Sequence, residues 1–268
     1  MSAEEDSAYL SPPVQRAARL LRHIAAGDPV TNMAQTARKL GINRTTLLRL
    51  LHTLEAEGFI EPRGDKAGWR VGLGLFAMVA GAFSSDDLVQ VATPILAHLA
   101  EDLGLSTHLG VLDGLEVVYL IRRTPNLSFA SNIRVGSRLP AHAANMGRII
   151  LANLPPERVA RLYAGAKLQP VTAHTPTTLA QLRARLDADL AAGLAWSDGH
   201  FEDGIASVAA AVFDATGAPI AAINVSGGSA AFGGEAGRAR IGEALAAAAD
   251  DISRRLGWTG TTKGREAA

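Results

Sequence analysis

Arginine, threonine and histidine side chains fall on one face of a helix predicted within residues 31–58. At 100° per residue, Thr45, Arg49 and His52 share this face, while Arg44 and Thr46 stand in the exposed first turn. An arginine can donate two hydrogen bonds to guanine O6 and N7, and a threonine offers a hydroxyl to bases or phosphates and a methyl to thymine. These residue types suit contact with a DNA major groove. A solvated polar face with no partner would show the same pattern.

Two short helices and a tight turn must position these side chains. Met33, Ala37 and Leu40 recur at helical spacing, with Thr31 as the predicted N-cap and Gly41 as the residue that ends the helix. The second helix follows its predicted cap, Asn43, and carries an apolar stripe at i, i+3, i+4 and i+7, made of Leu47, Leu50, Leu51 and Leu54. The segment therefore predicts a helix-turn-helix.

A basic hairpin is predicted directly after the second helix. Residues 59–72, FIEPRGDKAGWRVG, indicate two short strands around a glycine-bounded turn. Arg63, Lys66 and Arg70 would bring positive charge to the DNA backbone or minor groove. A preceding amphipathic helix opens at Pro12 and Pro13 and completes a three-helix core. Together these elements predict a winged helix.

The charge distribution favours a nucleic-acid partner for the N-terminal part alone. Residues 12–72 contain ten Lys and Arg against five Asp and Glu, whereas residues 73–268 contain sixteen against eighteen, and the whole chain has a formal net charge of zero. A basic module joined to a mildly acidic one is expected when one domain contacts phosphates. With no cysteine, no secretory signal and no long apolar run, the chain is expected to be cytoplasmic, with no membrane partner.

The remaining two thirds of the chain predict a second domain of α+β class. A strongly apolar helix at residues 73–83 and a further helix ending near residue 103 precede it. Strands in hairpins, with helices before and after them, favour an antiparallel sheet with packed helices. The predicted order is a hairpin around Asp113–Gly114, a strand at 128–135, helices at 140–154, 156–164 and 179–190, two strands within 208–227, and a helix at 235–256.

Catalytic and cofactor motifs are absent from this second part of the sequence. There is no nucleophile elbow, phosphate loop, dinucleotide fingerprint or zinc-binding helix, so no cofactor and no metal are expected. The densest titratable cluster is Asp198, His200 and Glu202, which favours a loop of solvated groups over a metal or acid–base site. One alternative is an enzyme that uses Asp198, His200 and Ser207 on a small carboxylic acid. Another is an architectural DNA-binding dimer that responds to no ligand.

The order of these elements, with the stretch LPAHAANMGRIILANLP in the longer domain, resembles the IclR family of bacterial transcription regulators from about Val14 to about Leu256. The resemblance implies an N-terminal winged helix-turn-helix domain and a C-terminal GAF-like or profilin-like α+β effector-binding domain, joined by a linker helix. It also implies a homodimer or homotetramer that binds a pseudo-palindromic double-stranded DNA operator. The predicted parts are an arm at 1–11, the DNA-binding domain at 12–84, the linker helix at 85–104, the effector domain at 105–257 and a tail at 258–268.

Two sites are expected, the first from the polar helix face and the basic hairpin, and the second from the family resemblance. The DNA-contacting residues would be Asn43, Arg44, Thr45, Thr46, Arg49, Arg63 and Lys66. The effector, a small organic acid, would be bound by Asn145, Met146, Gly147, Ser197, Asp198, His200, Ile205, Ser207, Asn224 and Ser226. Two of these residue types also fit purely structural roles, with Met146 as core filler and Ser207 as a strand serine.

Two features of the effector domain bear on the ligand. Many family members carry glutamate at the position of His200, so the ligand of any one member is not transferred to this chain. The stretch VGSRLPAHAANMGR resembles the subgroup that controls aromatic-acid catabolism, which implies a hydroxybenzoate-like effector.

Overall fold

The computed structural model describes residues 10–64, 68–84, 87–125, 133–198 and 204–260. Contacts divide the chain into two compact units, residues 1–85 and residues 86–268. Within the described residues, no helix has the length and apolar character that crossing a membrane requires.

The first unit is a three-helix core with a two-stranded wing. Leu20, Ile24, Leu47, Leu51 and Ile60 form its buried centre, which confirms the predicted leucine stripe. The elements are α1 Pro12–Ala25, α2 Met33–Leu40, α3 Arg44–Ala56, the antiparallel strands β1 Ile60–Pro62 and β2 Trp69–Val71, and α4 Leu73–Ser84.

Side-chain caps fix where α2 and α3 begin. Asn32 caps α2 by accepting a hydrogen bond from the backbone N–H of Gln35 at 3.0 Å, so the prediction of Thr31 as the cap was wrong by one residue. Both types can cap, but the asparagine stands immediately before the first helical residue. Asn43 caps α3 as predicted, accepting from the Thr46 N–H at 2.7 Å. Gly41 adopts a φ of +66° between them, which a residue with a Cβ rarely does.

The wing is held against the helical core by contacts of β2. The Trp69 N–H donates to the carbonyl of Pro29 at 2.8 Å, and its indole Nε1 donates to Glu55 of α3 at 3.3 Å. Gly68 lies so close to this loop that an added Cβ would be 2.2 Å from the Pro29 oxygen. The tip residues 65–67, including Lys66, lie outside the described residues.

The second unit is built on a six-stranded antiparallel sheet in the order β5-β4-β3-β8-β7-β6. Alternate residues of β7 face opposite layers, with Val208 and Ala210 against α5 and α9, and Ala209 and Ala211 on the α6 side. The elements are α5 Asp87–Leu103, β3 Ser106–Asp113, β4 Glu116–Arg123, β5 Arg138–Pro140, α6 Asn145–Ala152, α7 Pro156–Leu162, α8 Leu179–Ala192, β6 Ala195–Asp198, β7 Ile205–Phe213, β8 Pro219–Gly228, a 3-10 turn Ser229–Phe232 and α9 Gly234–Arg255.

Two elements of the second unit differ from the sequence prediction where the structure describes them. Most of the strand expected at 128–135 lies outside the described residues, and residues 133–135 form no strand. A strand stands instead at Arg138–Pro140, because it pairs with Glu116–Val118 of β4. The helix expected from residue 140 therefore begins only at Asn145, after a turn at 141–144. The helix expected to link the domains buries Leu96 and Leu99 in the core of the second unit.

Candidate functional site

The outer face of α3 presents polar side chains to solvent in the first unit. Asn43, Arg44, Thr45 and Arg49 are exposed, and Thr46 is half-buried. Arg44 and Arg49 form no ion pair with any residue that the structure describes, so both guanidinium groups remain available for an anionic partner. This face has the shape and chemistry of a recognition helix.

Leu48 and the two arginines of the wing complete the description of this surface. Leu48, which the sequence reasoning did not single out, is 42% exposed on α3, directly before Arg49 in the sequence. The signal available in the sequence was that this leucine lies outside the predicted apolar stripe of the helix. Arg63 is exposed where the wing leaves β1, whereas Arg70 of β2 pairs with Glu61 at 2.7 Å. Of the two cations, Arg63 therefore carries the less compensated charge.

The second unit contains a small cavity of about 30 Å³, partly open to solvent, between the sheet and the start of α6. Hydroxyl and amide groups form one part of its wall and apolar side chains form the rest, which is typical of small-molecule sites. The lining residues are Tyr119, Ile133, Leu139, Ala144, Asn145, Ser197, Ile205, Ser207, Asn224 and Ser226.

Strand register explains why the hydroxyl groups converge. Ser197 of β6 lies opposite Ser207 of β7, which in turn lies opposite Ser226 of β8. Directly opposite residues on neighbouring strands point to the same face of a sheet. Three serines far apart in the sequence thus form one row across three strands. The side chains of Ser197 and Ser226 make no hydrogen bond to other described residues.

The structure brings six of the ten expected effector residues into this cavity, namely Asn145, Ser197, Ile205, Ser207, Asn224 and Ser226. It places three elsewhere. Met146 is fully buried in the core, Gly147 packs so tightly that a Cβ would be 2.4 Å from Ala141, and Asp198 faces the opposite side of β6, 2.5 Å from Arg238. The fourth, His200, lies outside the described residues.

Four cavity residues were not expected from the sequence. Ile133, Leu139 and Ala144 supply apolar wall, and Tyr119 presents a buried ring whose phenol has its pKa raised by burial. Tyr119 follows the alternation of β4, whose buried residues are Val117, Tyr119 and Ile121. The alternation is visible in the sequence, but the sequence does not show that this face of β4 lines a cavity.

A buried ion pair joins α6 to α8, and its arginine also binds a carbonyl of β6 next to the cavity. Arg148 donates from Nε to Asp189 at 2.8 Å and from Nη2 to the carbonyl of Trp196 at 2.6 Å. Burial lowers the pKa of Arg148, and the hydrogen bond with Asp189 opposes that shift. Arg185 donates to the same carbonyl at 3.0 Å. Because Trp196 precedes Ser197, this clamp fixes the strand that carries one cavity hydroxyl.

A winged helix with an exposed polar helix face, joined to a separate unit with a small cavity, is the architecture of a DNA-binding regulator. Comparison with known families bears this out, since the IclR helix-turn-helix domain matches residues 13–64 and the C-terminal domain of bacterial IclR transcriptional regulators matches residues 80–254. The chain belongs to the IclR family of transcriptional regulators. It is not an enzyme, because the relatives that it matches are regulators and repressors.

Individual relatives and solved structures agree with this assignment. The chain is 30% identical to the HTH-type transcriptional regulator XynR of Escherichia coli, across 80% of this chain and 84% of that protein. An IclR transcriptional regulator from Alicyclobacillus acidocaldarius superposes with a TM-score of 0.79 at 26% identity, covering 93% of this chain and 100% of that one. An IclR homologue from Microbacterium hydrocarbonoxydans, solved in complex with 4-hydroxybenzoate, has a TM-score of 0.79 at 26% identity, with 91% and 98% covered.

Proposed function

We propose that the chain reads a pseudo-palindromic operator as a homodimer or homotetramer, with α3 of each copy in a major groove. Exposure of Arg44, Thr45 and Arg49, together with the unpaired guanidinium groups, supports this proposal. Asn43 and Thr46 would contact the phosphates beside the first turn of the helix. The exposed Leu48 would contact a thymine methyl group. Arg63 and Lys66 would follow the backbone from the wing.

Substitution of Arg49 tests the groove contact. Arg49→Ala should weaken binding to operator DNA by about tenfold to a hundredfold, the range for loss of one base contact. Arg254→Ala is the matched control, because Arg254 is an exposed arginine of the second unit. Fluorescence anisotropy at fixed salt gives both affinities. Equal affinities for the two variants would remove Arg49 from the interface.

We propose further that the effector is a small organic acid of hydroxybenzoate type, bound in the cavity of the second unit. The row of three serine hydroxyls beside apolar walls is the observation that carries this proposal. Hydroxyls would bind the carboxylate, and Tyr119, Leu139 and Ile205 would cover the ring. The start of α6 adds to this environment, because its N-cap, Ala144, offers no side-chain acceptor and helix N-termini favour anions. The Microbacterium relative holds an acid of this kind.

A thermal-shift screen tests the effector class. The panel contains benzoate, 4-hydroxybenzoate, 3,4-dihydroxybenzoate and pyruvate, each paired with its carboxamide. An acid at one hundred times its Kd stabilises the folded state by about 2.7 kcal/mol, which shifts Tm measurably. A shift with pyruvate alone would exclude the aromatic class, and no shift with any acid would exclude the acid-sensing function.

A further inference from the structure

A chain of four buried or partly buried side chains leads from the core of the sheet to the cavity. The imidazole Nδ1 of His108 lies 2.8 Å from Asn224 Oδ1. Asn224 Nδ2 donates to Asn145 Oδ1 at 3.3 Å, and Asn145 Nδ2 donates to Ser207 Oγ at 3.0 Å. Three of the four residues line the cavity, whereas His108 is fully buried behind them.

The chemistry of the groups gives this chain a direction. An amide oxygen can only accept, so the proton of the imidazole must stand on Nδ1 of His108. Each following amide then donates to the next residue, and Ser207 accepts the last of these hydrogen bonds. Since its oxygen is already an acceptor there, the hydroxyl proton of Ser207 is free to point into the cavity.

The surroundings of His108 keep the imidazole neutral. Burial lowers its pKa to about 4; the hydrogen bond with Asn224 opposes this shift, and the positive charge of Arg122, opposite it on β4, adds to it. Tyr119 meets the ring edge-on at a centroid distance of 5.5 Å. Nε2 is buried without a partner among the described residues. A second proton at Nε2 would leave a buried positive charge there without an acceptor, which is costly.

We propose that His108 is a positioning residue that makes the cavity present hydrogen-bond donors and thereby selects an ionised carboxylate over the matching carboxamide. A carboxylate only accepts hydrogen bonds, so it fits a wall of donors. A carboxamide replaces one accepting oxygen with two N–H donors, which would face donors in the cavity. This inference rests on the proposed acid-binding function and specifies what sets its selectivity.

Two variants of His108 separate polarity from packing. His108→Asn keeps an N–H donor near the place of Nδ1, whereas His108→Leu removes it at similar size. Without that donor, the amide group of Asn224 can rotate by 180°. Donors and acceptors then exchange along the hydrogen-bonded side chains, and Ser207 can direct an oxygen lone pair into the cavity. Calorimetry with 4-hydroxybenzoate and 4-hydroxybenzamide measures the ratio of the two Kd values in each protein.

The expected result is a change of ratio in one variant only. Wild type should prefer the acid by at least tenfold, in line with the strength of hydrogen bonds to charged groups. His108→Leu should lose about tenfold of this preference, while His108→Asn should retain it within about threefold. A purely structural role would weaken both ligands equally and leave the ratio unchanged, which would overturn the proposal.

Nitrogen NMR of histidine-labelled protein tests the direction of the chain without a ligand. The His108 signal, identified by its loss in His108→Asn, should show the neutral Nδ1–H tautomer at pH 7 and no titration near the usual pKa of about 6.5. An Nε2–H tautomer, or a midpoint near that value, would overturn the proposal even if an acid binds. If no acid of the panel stabilises the protein, the acid-sensing function fails, and the tautomer still decides the direction of the chain.

Discussion

Arg148 is the largest fully buried side chain of the protein's described residues, and its charge is neutralised by Asp189, a neighbour from another helix. Taking such a pair out of water costs free energy that the attraction between the charges only partly restores. The pair instead helps to position β6, because both Arg148 and Arg185 donate hydrogen bonds to the Trp196 carbonyl at the unpaired edge of that strand. Ser197 of the cavity belongs to this edge strand, so the clamp supports the site as well as the fold.

Replacing either arginine of this clamp should lower the free energy of unfolding, and the more buried arginine should cause the larger loss. Arg148→Met leaves the buried Asp189 with only the longer, partly exposed contact to Arg185, so the free energy of unfolding should fall by about 3–5 kcal/mol. Arg185→Met is the control, because the Arg185 side chain is 37% exposed and lies 3.7 Å from Asp189; it should cost about 1 kcal/mol or less. Urea denaturation measures both values.

The double variant Arg148→Met/Asp189→Leu separates the two explanations of that loss. Removing both charges should recover much of the stability, because no uncompensated charge remains. If the double variant is no more stable than Arg148→Met, the cost comes from lost packing of the arginine and not from the stranded carboxylate.

For single residues, the sequence predicts which residue types belong to a site better than it predicts where each side chain points. Asn43 was recognisable as a cap, and Asn145, Ser207 and Asn224 as cavity residues by family resemblance. Met146 and Gly147 follow Asn145 directly, yet the helix turns them towards the core and Ala141. His108 gave no signal, since its partner Asn224 is 116 residues away. Contacts of such long range depend on strand order, which one sequence does not display.

Helix α4 exposes several large apolar side chains to solvent. Leu73, Phe76 and Val79 recur every third residue and are 74%, 62% and 43% exposed, and Met78 is 56% exposed. Contiguous apolar surface of this kind is typical of protein–protein interfaces. We infer that α4 packs against a second copy of the chain, as the family resemblance implies.

Replacing Phe76 with glutamate should therefore weaken self-association. Phe76→Glu places a charge in the proposed interface, so sedimentation equilibrium should show a dimer dissociation constant raised at least about tenfold. Val135→Glu is the control, because Val135 is another exposed apolar residue, 55% exposed, in the second unit. Unchanged association of Phe76→Glu would place the interface on another surface.

Elements were predicted well where the local signal was strong. The leucine stripe and the Asp113–Gly114 hairpin were both readable from the sequence. Strands β5 and β6 were not, because they span only three and four residues. Neither has room for a repeated alternation, and each is extended because a longer neighbouring strand pairs with it.

The whole molecule divides its two tasks between two units. The proposed DNA-contacting surface belongs to residues 1–85, and the cavity belongs to residues 86–268. An acid bound in one unit can affect DNA binding in the other only if its affinity differs between the DNA-bound and DNA-free states. The response is therefore a coupling free energy, and it must be the same whichever ligand is added first.

This reciprocity gives a quantitative prediction. If a saturating acid changes the operator Kd by a given factor, saturating operator must change the Kd of that acid by the same factor, with typical values of about 5- to 150-fold. Anisotropy with labelled operator and calorimetry with the acid measure the two factors on one preparation. In the variant Ser207→Leu/Asn224→Leu the acid should have no effect on operator affinity, because the leucines replace the cavity's polar groups. A full acid effect in that variant would place the sensing site outside the cavity. An acid that binds wild type yet changes its operator affinity by no measurable factor would show that the two units act independently.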